Sequence, residues 1–228
     1  IEDYDLGEQN PLKERGGLIM PMFQADALWV NFGSGEYPMA IKIATGKVCA
    51  LTGEPWSEGL SDSPQNYLVV PDQPWLDGYN VGEGLVRQFV AAPLGDGVTA
   101  EEQLTDTADI GGIQIQVFPM KRECFDELQS PDIHVNYNRV FAPPELMGIA
   151  PGGIMHQEIY DDPYDLEVWD QSQSEKCFIT IANANQWMGI TNESPPLSPV
   201  SAEQYTAAGL PWFAYYDQDK KAIEGAKK

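Results

Sequence analysis

The sequence predicts a mainly β chain: an antiparallel β-sandwich or jelly-roll-like fold with short C-terminal helices. Three observations carry this. "GGIQIQVFP" puts Ile113, Ile115 and Val117 on one face of a strand and Gln114 and Gln116 on the other. Roughly nine or ten short strand-like stretches recur, separated by Gly, Pro, Asp and Asn. No long helical period runs between them, which argues against βαβ units and for antiparallel pairing.

Residues 1–21, from "IEDYDLGEQNPLKERGG", are polar and acidic and read as an extended N-terminal segment. The body, 22–182, begins with "ALWVNF". Then "YPMAIKIATGKVCAL" alternates Met39, Ile41 and Ile43 against Lys42, breaks at Thr45-Gly46 and resumes, the pattern of a hairpin. "NYLVV" and "GLVRQFVAA" precede the clean alternation at 113–117. "PDIHVNYNRVF" repeats it, with Ile133, Val135 and Tyr137 inward and His134, Asn136 and Asn138 outward. "GIMHQEIY" and "KCFITIAN" close the set.

The segment 183–228 changes character and is where helix is expected. "NANQWMGITNE" suits a short helix ended by Gly189 or by the prolines beyond it. Ser201 and Gln204 stand at capping-box spacing, and Gly209 followed by Pro211 stops the helix they would start. The segment is expected to pack on the body.

Charge excludes whole classes of partner. The 228 residues hold 35 Asp and Glu against 13 Lys and Arg, a formal charge of −22. Such a surface repels phosphate backbones, whose binding needs clustered cations, so nucleic acid is not an expected partner. No apolar run reaches the roughly 18 residues that span a bilayer, so membrane insertion is not expected either. Cys49, Cys124 and Cys177 are odd in number and far apart, without C-x-x-C. They suit free thiols in a reducing, cytoplasmic compartment. A secreted location would follow if a leader had been removed ahead of Ile1.

Three Pro-Trp pairs, Pro55-Trp56, Pro74-Trp75 and Pro211-Trp212, carry an indole on a stiff corner. A large flat ring in that position can seal the end of a core. Exposed Trp and Tyr beside Asp and Asn would instead suit a carbohydrate or small-molecule ligand, with Trp56, Trp75, Asp77 and Tyr79 as the ligand-binding candidates. The sealing reading is preferred because buried aromatics outnumber recognition platforms. It expects Trp75 to be buried and Asp77-Gly78 to form the turn into "GLVRQFVAA".

Catalytic motifs are incomplete. "NFGSGEY" lacks G-x-S-x-G spacing, and neither histidine has an evident serine partner. "PGGIMH", Pro151 to His156, matches the P-x-G-x-x-H half of a cupin metal motif, but the H-x-H half is missing. His134, His156 and Glu158 could form a transition-metal site if the fold joined them. The carboxylates of "YDDPYDLEVWDQSQSE", among them Asp161, Asp162 and Asp165, could hold Ca²⁺, although the spacing is not that of an EF-hand. The expectation is therefore a non-enzymatic module without a cofactor, binding a ligand or assembling with copies of itself. The alternative is a cupin-like or metal-dependent carbohydrate-acting enzyme.

Two blocks carry a family resemblance. "PQNYLVVPDQPWLDG", with "GLVRQFVAAPLGDGVTAEEQLT" and "GGIQIQVFPMK" after it, and the closing "GLPWFAYYD" resemble a family of bacterial and fungal hypothetical proteins. The resemblance runs over nearly the whole chain from about Met22 onward. It implies one unit to which the C-terminal block belongs, and it brings no activity, ligand or site residue with it.

Overall fold

Met39–Thr45 and Ile113–Pro119, two of the alternating stretches, pair antiparallel along their whole length at the middle of a six-stranded sheet. The computed structural model describes residues 1–4, 6, 10–33, 35–128 and 154–195. The chain divides into two units, Ile1–Pro196 and Leu197–Lys228, and all described residues belong to the first. The expected strand around His134 and the helix start at Ser201 lie outside the described residues.

In chain order the strands are β1 (Leu18–Pro21), β2 (Ala27–Leu28), β3 (Val30–Asn31), β4 (Met39–Thr45), β5 (Val48–Cys49) and β6 (Leu68–Val70). They continue with β7 (Trp75–Leu76), β8 (Gly78–Gly82), β9 (Leu85–Val90), β10 (Ile113–Pro119), β11 (Ile154–His156) and β12 (Glu175–Ala182). The large sheet has the order β1-β12-β10-β4, and β5 and β6 share the free edge of β4. A four-stranded sheet has β9 at its centre, with β8 on one edge and β11 and β2 on the other. β3 and β7 form a separate two-stranded ribbon. Among the described residues every pair is antiparallel except β1 with β12.

Two hairpins turn through residues with positive φ, the geometry whose twist matches the flanking strands. Gly46 and Lys47, at φ 53° and 58°, join β4 to β5 where the break in the pattern predicts it. Glu83 and Gly84, at φ 54° and 70°, join β8 to β9. The turn expected at Asp77-Gly78 is therefore misplaced: Gly78 opens β8, and the chain reverses five residues later.

The helices are short and not confined to the region after 183: α1 (Pro11–Arg15), α2 (Ala100–Thr105), α3 (Arg122–Leu128) and α4 (Ala184–Thr191). Each of the first three is seven residues or fewer, too short to show an amphipathic period. α4 starts at Asn183, whose side chain accepts from the Gln186 N–H in a capping box. It runs through Gly189 and ends at Asn192, a left-handed residue whose N–H closes on the Met188 carbonyl.

The alternation reads correctly along β4 and β10, but both faces of the sheet are covered. Ile41, Ile43 and Ile113 face a cluster that also holds Leu68, Val70, Leu76 and Phe89, so strands of all three sheets contribute to it. The opposite face meets a second cluster of Ala40, Tyr67, Val69, Phe118, Met120 and Trp169. Lys42, Gln114 and Gln116 lie on this second face and are buried, not solvated. Lys42 donates to the Ser57 and Gly59 carbonyls at 2.7 and 2.5 Å and sits 4.7 Å from the centre of the Trp56 ring. Burial lowers its pKa, while the carbonyls and the π-face replace the water it has lost.

Tyr67 carries a pH signature. Its hydroxyl donates to Asp162 Oδ2 at 2.5 Å, and burial, reinforced by that carboxylate, pushes its pKa well up. An unfolded tyrosine loses its proton near pH 10, whereas the folded one keeps it. The native state then binds more protons, so this stabilisation is complete below about pH 10 and declines above it. Burial raises Tyr79 in the same direction. Lys42 acts oppositely, since there the unfolded chain holds its proton longer. The unfolding midpoint is expected to fall from about pH 9 to about pH 11, and less steeply in Tyr67→Phe. Equal slopes in a pH series of urea melts would refute the assignment.

Candidate functional site

Of the carboxylates that could hold a metal, Asp162 is committed to the fold. Asp162 Oδ2 accepts the Tyr67 hydroxyl and the Trp169 indole N–H at 2.8 Å, and its Oδ1 accepts the Tyr164 N–H at 2.8 Å. Asp165 stands at the start of a short 3₁₀ turn, Leu166–Val168, and its carbonyl accepts from Val168. Asp161, Glu158 and His156 are exposed. His134 lies outside the described residues. Among the described residues no group of three His, Cys, Asp or Glu side chains stands close enough together to hold a metal ion. Cys49, Cys124 and Cys177 are free thiols.

The four ligand-binding candidates fall in three places. Trp56 is half-buried over Lys42. Trp75 is 36% exposed, which overturns the expectation that it seals the core. Leu76, fully buried, takes the inward position on β7, and strand alternation therefore turns Trp75 outward. Its indole N–H donates to Asp77 Oδ2 at 2.9 Å. Tyr79 lies on the four-stranded sheet, ring edge to Phe89 at 4.9 Å, and shares a hydrogen bond with the Thr45 hydroxyl of the large sheet.

Tyr79 opens onto a cleft of about 780 Å³. It forms where the ladder runs out. β10 begins at Ile113, paired with Ile179, whereas β12 continues to Ala182 with only β1 beside it. Thr45, Ile113, Thr180 and Ile181 of the large sheet line one side, and Tyr79, Gln88 and Phe89 of the smaller sheet line the other. Leu94, Val98 and Ile110 close the rim. The walls are mixed: Arg15, Gln24, Gln88, Asn183 and Gln186 stand among the apolar side chains. The Thr180 hydroxyl is buried and has no hydrogen-bond partner.

Two glutamates hold that rim. Glu101, 2% exposed on α2, accepts the N–H groups of Asp109 and Ile110 on Oε1 at 2.9 and 2.8 Å and that of Gly111 on Oε2 at 2.7 Å. From the other side, the Arg15 guanidinium donates to the Ile110 and Asp109 carbonyls at 2.8 and 3.0 Å. The 109–111 loop is therefore clamped through both its donors and its acceptors. Gly46 fits here because a Cβ would run into the Glu101 carboxylate. Glu102 accepts from the Thr99 hydroxyl at 2.6 Å and from the N–H groups of Gly97 and Gly95, both at 2.8 Å. The Thr99 hydroxyl and these amides lower its pKa to about 2, so the Gly95–Thr99 loop stays tied across the ordinary pH range.

Sequence reasoning missed Arg15, Glu101, Glu102 and Thr180. The one local signal was Thr99-x-x-Glu102, a capping box that does form. The other three act across 8 to 95 residues of chain or through a ladder ending, and no spacing rule marks them. No family model, no curated protein and no solved structure matches the chain.

Proposed function

We propose that the chain is a non-enzymatic β-sandwich binding module whose site is the cleft between the large and the four-stranded sheets. The ligand is a neutral small molecule with an apolar part and hydrogen-bonding groups. The observation that carries this is the cleft itself: about 780 Å³, with Phe89, Ile113 and Ile181 on its walls beside Gln24, Gln88 and Gln186. Binding pockets fall in the range of about 300–1,000 Å³ and combine apolar lining with a few placed polar groups. The sandwich reading draws on the shared cluster, in which Phe89 of one sheet packs with Ile43 and Ile113 of another.

The test is titration with N-phenyl-1-naphthylamine, a neutral apolar fluorophore with one N–H, and its displacement by 1-decanol. Saturable enhancement with one site per chain is expected. Ala91→Trp, which fills the cleft from its lining, should weaken binding about tenfold or more with the unfolding midpoint kept. Non-saturable enhancement, or binding indifferent to Ala91→Trp, would sink the proposal.

A further inference from the structure

We propose that the outward face of the β3–β7 ribbon is a second binding site, for a neutral saccharide, independent of the cleft. The register pairs Val30 with Leu76 and Asn31 with Trp75. Val30 and Leu76 pack into the core, so alternation sends Asn31 and Trp75 to the opposite side, with Trp29 and Asp77 at the flanking positions of that side. Trp29 is 55% exposed and Trp75 36% exposed. Single exposed apolar residues are common and need no explanation. Two tryptophans on one face, interleaved with an amide and a carboxylate, form a pattern of a different kind.

The ribbon under them is rigid. Gln73 and Gln157, 3% and 7% exposed, both donate to the Trp75 carbonyl, at 3.2 and 3.1 Å. Gln157 also accepts the Asp77 N–H at 2.9 Å. The indole N–H on Asp77 Oδ2 then holds the Trp75 ring in one orientation. Two buried amides thus support a ring that the fold leaves partly exposed.

The chemistry of that face selects the ligand. An indole presents a negative π-face that attracts the polarised C–H groups on the apolar side of a pyranose. Asp77 and the Asn31 amide lie beside the rings and suit sugar hydroxyls, which donate to the first and accept from the second. The charge of −22, and a carboxylate within the face, disfavour uronates and sulfated sugars. Hydroxyls alone satisfy both the carboxylate and the amide, which a neutral saccharide supplies.

Native affinity electrophoresis tests this with hydroxyethylcellulose, glucomannan and dextran in the gel and alginate as the charged control. Retardation by at least one neutral polymer and none by alginate is expected. Trp29→Ala and Trp75→Ala should each weaken it about tenfold or more. Both variants should keep the wild-type binding of N-phenyl-1-naphthylamine, which separates this site from the cleft and reports an intact fold. Asp77→Asn, which keeps the shape but weakens the hold on the indole, should reduce retardation without abolishing it. No retardation by any neutral polymer would overturn the proposal, as would retardation unchanged in both tryptophan variants. So would a dimer in sedimentation that Trp75→Ala dissociates, because the face would then belong to a second copy of the chain.

Discussion

Trp169→Ala is expected to destabilise the protein by about 3–5 kcal/mol, the range for truncating a large buried aromatic. The ring is 2% exposed and packs edge-on against Tyr67 at 6.4 Å and Tyr164 at 5.8 Å. Its indole N–H is one of the donors that hold Asp162 in place. Truncation therefore opens a cavity beneath the second face of the large sheet and removes a charge-assisted hydrogen bond together. Trp169→Phe, which keeps most of the apolar area but loses the donor, should cost less, about 1–3 kcal/mol. Urea titration should show a lower midpoint with an unchanged slope. A Trp169→Ala loss below about 1 kcal/mol would mean that this cluster does not brace the sheet.

Glu101→Ala should have the next largest effect, about 3 kcal/mol or more, with loss of cleft binding. The carboxylate accepts three backbone N–H groups of the 109–111 loop, and removing it leaves all three without that acceptor. Each buried donor left unsatisfied costs about 1–3 kcal/mol, reduced where water reaches it. Arg15 would still hold the carbonyl side of the loop, so local opening is expected rather than global collapse. Because Asp109 and Ile110 line the cleft, N-phenyl-1-naphthylamine affinity should fall together with stability. Glu101→Gln is a sharper test: it keeps the size but replaces one acceptor oxygen with a donor facing N–H groups. An unchanged melting temperature and unchanged probe affinity in both variants would remove Glu101 from the account of the rim.

What was legible in the sequence was local. Period-2 alternation places Ile41 and Ile43 opposite Lys42, and Ile113 opposite Gln114, and the strands obey it. The break at Thr45-Gly46 becomes a tight hairpin. The expectation for Trp75 failed by one residue of phase: Trp75 and Leu76 are adjacent and both apolar, so either could have faced inward. The register with Val30 and Asn31, set forty-five residues upstream, decided for Leu76. In the acidic loop, spacing cannot distinguish a solvated carboxylate from one that receives an indole and a phenol, as Asp162 does.

The sequence by itself determined that the chain is strand-rich and antiparallel in the main, and which side chains share a strand face. Backbone geometry enforces both within a few residues. Only the tertiary structure decided what covers each face. It buried Lys42 under Trp56, Ser57 and Gly59, turned Trp75 to solvent, and opened a cleft where β10 stops short of β12. Those outcomes depend on which distant segment arrives to exclude water, and the desolvation energy that sets them belongs to the assembled layers, not to any one strand.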